Sequence, residues 1–361
     1  MRVLMITWLF HPHIGGVEKH VLKVSAELVK RGHEVKVLTL RYDESLAEED
    51  EINGVRVLRI GGKMFGMVPL ARLLSGWVAS HRASKLLTWA NILHFHDHTP
   101  FVRWYLPRLV SGIRRPIFVT FHGFESERPG LKEKLERRFL HRIASGSVCV
   151  GGYIERHYGT RCDVVTIGGT DLPPHDSVIA KERRGLILGR LEDDVGIFKY
   201  LEVLRILKEN HGKLVPVDVL GSGSRIAPAR EYADCNDLNV RFHGAVTDVI
   251  PYLRKALFTF ASSYLSMLEA MAHRSLVLAT WMSELKRDYV RSLDSSEPIA
   301  LVSDDANALA EELSAFLDKA GEKQKIIEAA YRFASEHTWE KVASLYLDLY
   351  SCKMSTGQQS N

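Results

Sequence analysis

MRVLMITWLFHPHIGGVEKHVLKVSAELVKRGHEVKVLTL, residues 1–40, carries the reading on which the fold rests. Val3–Thr7 is an apolar run of the length of a buried strand, and Gly15-Gly16 breaks the chain after it. Val17, Val21, Val24 and Leu28 then recur at helical spacing as far as Lys30, Gly32 stops the helix, and Glu34–Leu40 alternates as a second strand. A strand, a helix and a strand in 40 residues place the two strands side by side and parallel, because the crossover is right-handed.

The same alternation continues outward. Val55–Ile60, Ile92–Phe95, Ile117–Phe121 and Val148–Val150 read as further strands, mostly separated by helical stretches. It restarts at Gly185–Gly189, followed by a helix over Ile197–Asn210 and strands at Pro216–Leu220 and Asn239–Phe242. The fold class expected is α/β, with two Rossmann-like β/α/β domains facing across a cleft. Ligands of such sheets bind at the carboxyl ends of the strands.

Composition is consistent with this. A chain of 361 residues exceeds what one core usually organises. A hydrophobic content of 46% with 25% charged residues excludes a disordered, collagenous or multi-span membrane chain. Cys149, Cys162, Cys235 and Cys352 form no C-x-x-C pair, so neither a disulfide scaffold nor a cysteine zinc site is expected and a reducing cytoplasm fits. The apolar amino terminus lacks a signal-peptide cleavage region and reads as an opening strand.

Charge is unevenly placed. Residues 1–170 hold 25 Lys+Arg against 16 Asp+Glu, net +9, which leaves −5 for the rest of a chain of net charge +4. Within 56–142 the balance is 16 to 5, and Lys63–Trp77 and Phe101–Val110 interleave cations with Trp, Phe and Met. That pattern suits peripheral contact with an anionic membrane. It equally suits two amphipathic helices packed on a core. No nucleic-acid recognition motif accompanies it.

Several short motifs fall near strand ends. His11-Pro-His-Ile-Gly-Gly-Val-Glu-Lys-His20, Lys30-Arg-Gly-His-Glu-Val-Lys-Val37 and Thr120-Phe-His-Gly123 precede Leu188-Gly-Arg-Leu191, Leu220-Gly-Ser-Gly223, Phe242-His-Gly-Ala-Val246 and Leu268-Glu-Ala-Met-Ala272. Together with Thr338–Leu347, in this order, they resemble the retaining family 4 glycosyltransferases of the GT-B fold. The resemblance covers roughly residues 1–350. It implies an acceptor-binding domain at 1–172, a nucleotide-sugar domain at 173–337, and a terminal helix at 338–352 that returns to the first domain. A disordered tail is expected at 353–361.

The resemblance also implies roles. Arg190, a guanidinium fork just past a strand end, would stabilise charge on the departing phosphate. The helix beginning near Leu265–Met267 would aim its N–H groups at the same phosphates, with Ser266 and Met267 at its start. Glu269, placed in the first turn of that helix, would hold the ribose hydroxyls. Gly15, Gly16, Gly221 and Val246 complete the expected donor-binding set. On the acceptor side stand His96, Asp97 and His122, with His122 also catalytic through a hydrogen bond to a sugar hydroxyl. Alternate imidazoles in His94-Phe-His-Asp-His98 share one strand face and could be imagined as a metal site. The family needs no metal, and no cofactor is expected besides the nucleotide-sugar substrate.

Two departures bear on activity. The family reads Gly-Arg-Leu-x-x-x-Lys-Gly where this chain has Gly189-Arg-Leu-Glu-Asp-Asp-Val-Gly196, so Val195 takes the lysine position, with Lys199 one turn further on. The family's Glu-x7-Glu pair lacks its first member: eight residues before Glu269 stands Ala261, and aligning Phe258–Ser263 with the family's strand shortens the following loop instead. The expected activity is retaining transfer of a hexosyl group from a nucleotide-sugar to a glycan or lipid-linked acceptor, at the cytoplasmic side of a membrane. Two alternatives remain: a non-catalytic relative acting as a binding or assembly subunit, and a nucleotide-sugar hydrolase or epimerase on the same scaffold. A nicotinamide oxidoreductase is disfavoured, because Gly221-Ser-Gly-Ser-Arg-Ile226 lacks the third glycine of its fingerprint.

Overall fold

Short runs of Val, Ile, Leu and Phe, flanked by glycines and amphipathic helices, become buried parallel strands, because strands covered on both faces need no polar alternation. The computed structural model describes residues 1–61, 83–105, 115–123, 130–174, 180–293 and 295–358. The chain forms two units, Met1–Thr166 with Trp339–Asn361, and Ile167–Thr338.

In the first unit the strands are β1 (Arg2–Ile6), β2 (Glu34–Leu40), β3 (Glu49–Ile52), β4 (Val55–Ile60), β5 (Ile92–His96), β6 (Ile117–Phe121), β7 (Gly146–Val150) and β8 (Val164–Thr166). Their order is β3-β4-β2-β1-β5-β6-β7-β8, and the order reverses between β1 and β5. Neighbours run parallel except β3 against β4. β3 is absent from the sequence reading because its residues, Glu-Asp-Glu-Ile, are largely exposed on an edge, where charge and not hydrophobicity is favoured. Asn53 and Gly54 both adopt positive φ between β3 and β4, the geometry of a two-residue hairpin turn.

Trp339–Gln358, the last helix, belongs to the first unit. Its Trp339, Tyr346 and Tyr350 are buried. Residues 353–358, expected to be a disordered tail, continue this helix. Lys353 explains part of the extension, since its Nζ lies 2.6 Å from Asp163 Oδ1.

In the second unit the strands are β9 (Glu182–Leu188), β10 (Val217–Leu220), β11 (Val240–Gly244), β12 (Ala256–Phe260), β13 (Leu276–Ala279) and β14 (Leu301–Val302). They are all parallel, in the order β11-β10-β9-β12-β13-β14. This is the doubly wound Rossmann arrangement, with its switch point between β9 and β12. Ile187, Val219, Phe258, Phe260 and Leu278 build the core with Leu201, Leu204 and Leu313 from the covering helices.

The cysteine expectation is corrected. Cys149 and Cys162 form a disulfide, with Cα atoms 5.7 Å apart. Thirteen residues separate them in sequence, but Cys149 sits in β7 and Cys162 just precedes the adjacent β8, so strand pairing brings them together. Cysteine spacing therefore gives no support for a reducing compartment. No described helix is long and apolar enough to cross a membrane. All of Lys63–Trp77 and the second half of Phe101–Val110, on which the membrane-contact reading rests, lie outside the described residues.

Candidate functional site

At the switch point of the second unit, β9 ends at Leu188 and passes Gly189 into Arg190, while β12 ends at Phe260 and is followed by the helix Tyr264–Ala272. The loop between is only Ala261-Ser262-Ser263. Ala261 is fully buried and donates its N–H to Leu278 O at 3.0 Å, leaving no carboxylate at this point. A Cβ built on Gly189 would lie 3.9 Å from both Ser266 Oγ and Val195 Cγ1. Arg190, the Asp193–Val195 turn and the start of the helix thus converge on one spot.

Arg190 is well exposed, and its guanidinium donates to Asp194 Oδ2 at 2.8 Å. The acidic turn that replaces the family's lysine pattern is hydrogen-bonded throughout: Glu192 accepts from Ser224 N–H and Oγ, while Asp193 and Asp194 are met by the guanidinium groups of Arg225 and Arg190. Val195 is buried. Lys199 does not take the place of the missing lysine, since its ammonium donates to Asp304 O at 2.6 Å.

Of the other predicted donor residues, Ser266 and Met267 lie in the first turn of the helix, where Ser263 Oγ donates to Ser266 Oγ at 2.9 Å. Glu269 is corrected from the first turn to the second, because the helix begins at Tyr264. Val246 lies half-buried in the loop after β11. Gly221 has φ of +151° and a Cβ there would collide with Gly189 O, so its glycine is needed for close approach to the backbone preceding Arg190. Its contribution is to shape the loop.

Gly15 and Gly16 belong to the first unit. Gly15 stands at the N-cap of the helix Gly16–Lys30, where the Glu18 carboxylate folds back into the space a Cβ would occupy and also meets His13 Nδ1 at 2.9 Å. That helix start is thus already faced by an acid of its own chain.

The acceptor-side residues cluster at the first unit's switch point. His96 ends β5, and Asp97 follows with φ of +63°. Asp97 Oδ1 accepts from the His122 N–H at 2.8 Å, and the buried Arg137 guanidinium lies 3.9 Å from the same oxygen. His122 Nε2 is 3.0 Å from His96 Nδ1, and Tyr153 Oη donates to the His122 carbonyl at 3.0 Å. Gly123, at φ of +70°, leaves room for that hydroxyl.

Sequence reading did not anticipate that His20 joins this group, or that His94 enters it through a hydrogen-bonded network. A continuous chain runs from Tyr350 Oη to His94 Nδ1 (2.6 Å), from His94 Nε2 to Thr120 Oγ1 (2.8 Å), on to Tyr346 Oη (2.6 Å) and to His20 Nε2 (2.9 Å). His20 also packs edge-on against His122, with ring centroids 5.0 Å apart. Burial holds all four imidazoles neutral, lowering His94 to about 3 with help from His20, and His122 to about 3 with help from His94 and Arg137. Spacing alone signalled His94, His96 and His98, as alternate residues of one strand face, and gave no sign of His20. The imagined metal set does not converge. Both His94 nitrogens are engaged by Tyr350 and Thr120, whereas His98 turns away to Glu136 at 3.3 Å. Among the described residues no group of three His, Cys, Asp or Glu side chains is arranged to hold a metal ion.

Two doubly wound α/β units are the architecture of the GT-B class. Residues 14–167 match Glycosyltransferase Family 4 and residues 182–319 match Glycosyl transferases group 1; the chain belongs to these GT-B glycosyltransferases. It is 24% identical to a glycogen synthase of Mycobacterium tuberculosis over 97% of this chain and 94% of that protein. An uncharacterized glycosyltransferase of Methanocaldococcus jannaschii is 44% identical over 61 residues, 17% of this chain and 15% of that protein. Among solved structures, sucrose-phosphate synthase from Thermosynechococcus elongatus superposes with a TM-score of 0.77 at 18% identity, covering 98% of this chain and 99% of that one. Anabaena Alr3699/HepE in complex with UDP and glucose gives 0.75 at 14%, covering 98% and 100%.

Proposed function

We propose that this chain is a retaining glycosyltransferase that takes a hexosyl group from a nucleotide-sugar bound by the second unit and passes it to a glycan or lipid-linked acceptor held by the first. The observation that carries the reading is the convergence of Arg190 with the start of the helix Tyr264–Ala272 at the β9/β12 switch point. In the reaction the bond from the anomeric carbon to the diphosphate breaks and its electron pair leaves with the nucleoside diphosphate. The acceptor hydroxyl oxygen forms the new bond, and its proton leaves with the diphosphate. Charge grows on the departing phosphate oxygen, where a guanidinium and helix N–H groups act more strongly than on the bound donor. His122, neutral through burial, serves as a hydrogen-bonding imidazole to a sugar hydroxyl, and not as a cation. Glu269 accepts from the ribose hydroxyls.

No step requires a metal in this reading. Activity should persist in excess chelator, and its loss would bring a metal back into the scheme. The structural relative solved with UDP and glucose lends support to a nucleotide-sugar donor. The basic balance of residues 56–142 supports an acceptor at an anionic, cytoplasmic membrane face.

The deciding experiment is calorimetric titration with UDP, GDP and ADP, repeated on Glu269→Gln. Saturable binding of one nucleotide, weakened in the variant, is expected. Unchanged affinity in Glu269→Gln would remove the ribose role. A second reading, a non-catalytic relative, is favoured because the family's lysine and first glutamate are both replaced, by the buried Val195 and Ala261. It predicts nucleotide binding without turnover.

A further inference from the structure

The turn Glu192–Val195 supplies Arg190 with a carboxylate neighbour and no second cation, yet a lysine on a different element lies within electrostatic reach of both Arg190 and Asp194. Lys286 lies in the helix Glu284–Arg291, whose first turn is fixed by Ser283 Oγ accepting from the Lys286 N–H at 3.3 Å. Although charged, it is only 3% exposed. Its Nζ sits 4.3 Å from the centre of the Tyr289 ring, and Tyr289 Oη accepts from the N–H of Tyr264, the first residue of the helix at the switch point. Tyr289 and Tyr264 stack with centroids 3.9 Å apart, so the two helix starts are fastened together. Within this arrangement Lys286 feels the charges of both Asp194 and Arg190.

Resting on the donor-site reading above, we propose that Lys286 is the second cation of the diphosphate site, acting with Arg190 in place of the lysine that Val195 has displaced. Two cations, one planar and one a point charge, flank a helix start that carries the hydroxyls of Ser263 and Ser266; a pyrophosphoryl group is the ligand that satisfies such a set. Asp194, bonded to Arg190, is the negative charge that also acts on Lys286. Burial lowers Lys286 to about 8, with Asp194 opposing and Arg190 adding to the shift, so it is still mostly charged near neutrality. Sequence comparison at position 195 misses this residue, because the replacement comes from a helix far along the chain.

The test compares wild type with Lys286→Met, Lys286→Gln and Lys286→Arg, using Lys199→Met as a control, by calorimetry against UDP, GDP and ADP and their monophosphates. Lys286→Met should weaken the diphosphate that wild type binds by tenfold or more and change the matching monophosphate by less than about twofold. Lys286→Arg should recover most of the loss, and Lys199→Met should bind as wild type. Lys286→Gln replaces the methionine variant if the latter does not fold, as judged by circular dichroism. Wild-type binding that is unchanged in Lys286→Met or Lys286→Gln overturns the assignment of Lys286 and leaves the donor site standing. Failure of wild type to bind any of the three diphosphates overturns the donor-site reading and the role of Lys286 with it.

Discussion

Arg190 sits where a strand ends and a chain reversal begins, and its value comes from that position more than from its pairing. Its guanidinium is more than half exposed in the ion pair with Asp194, and such a solvent-screened pair contributes little to stability. Replacing Arg190 with Ala should therefore leave the melting temperature almost unchanged and lower turnover by about a hundredfold, the scale of losing one transition-state donor. Near-wild-type turnover would take Arg190 out of the site. His94 makes the opposite case, since it touches no solvent and both ring nitrogens are engaged. Its folded-state value of about 3 lies below the unfolded value of about 6.5, so between these limits the unfolded chain binds more protons. The stability contributed by neutral His94 is complete above about pH 6.5 and is lost as pH falls. At pH 5 the loss is about 2 kcal/mol from this residue, with His20, His96 and His122 adding in the same direction. Thermal denaturation between pH 7.5 and 4.5 should show a steep decline below pH 6, and a flat profile would contradict the buried network.

Among elements, the strands were the most legible part of the chain. Glu34–Leu40, Val55–Ile60 and Ile117–Phe121 have the bounds their apolar runs suggest, since each is held between neighbours on both sides. β3 escaped notice because an acidic edge strand carries no hydrophobic signal, and the Cys149–Cys162 disulfide because it depends on which strands are neighbours. Arg190 and His96 could be located from sequence, as residues at the ends of strands. Lys286 and His20 could not, because helices distant in sequence carry them to their places. The turn after β10 illustrates how an element serves a site without touching a ligand. Gly221→Ala forces a Cβ against Gly189 O, and should cost about 2–3 kcal/mol in urea denaturation while also displacing Arg190. A variant as stable as wild type would show that the two loops can part without penalty.

At the scale of the whole molecule, the first unit is discontinuous in sequence. Trp339, Tyr346 and Tyr350 fill its interior, and the two tyrosines complete the hydrogen-bond chain through His94 and His20. Deleting residues 339–361 removes three buried aromatic side chains worth about 3–5 kcal/mol each, as much as a domain's entire stability. The truncated protein should lose the cooperative unfolding of the first unit while residues 167–338 keep theirs, which calorimetry can resolve as one transition in place of two. The same feature fixes an order of events during synthesis. The segment made second has all its strands and covering helices once residue 338 has emerged, whereas the segment made first waits, with the face of β5 and β6 that carries His94, Phe118 and Thr120 uncovered, until the closing helix leaves the ribosome. Maturation therefore runs against the direction of translation, and the amino-terminal half is the part of the nascent chain most in need of a chaperone.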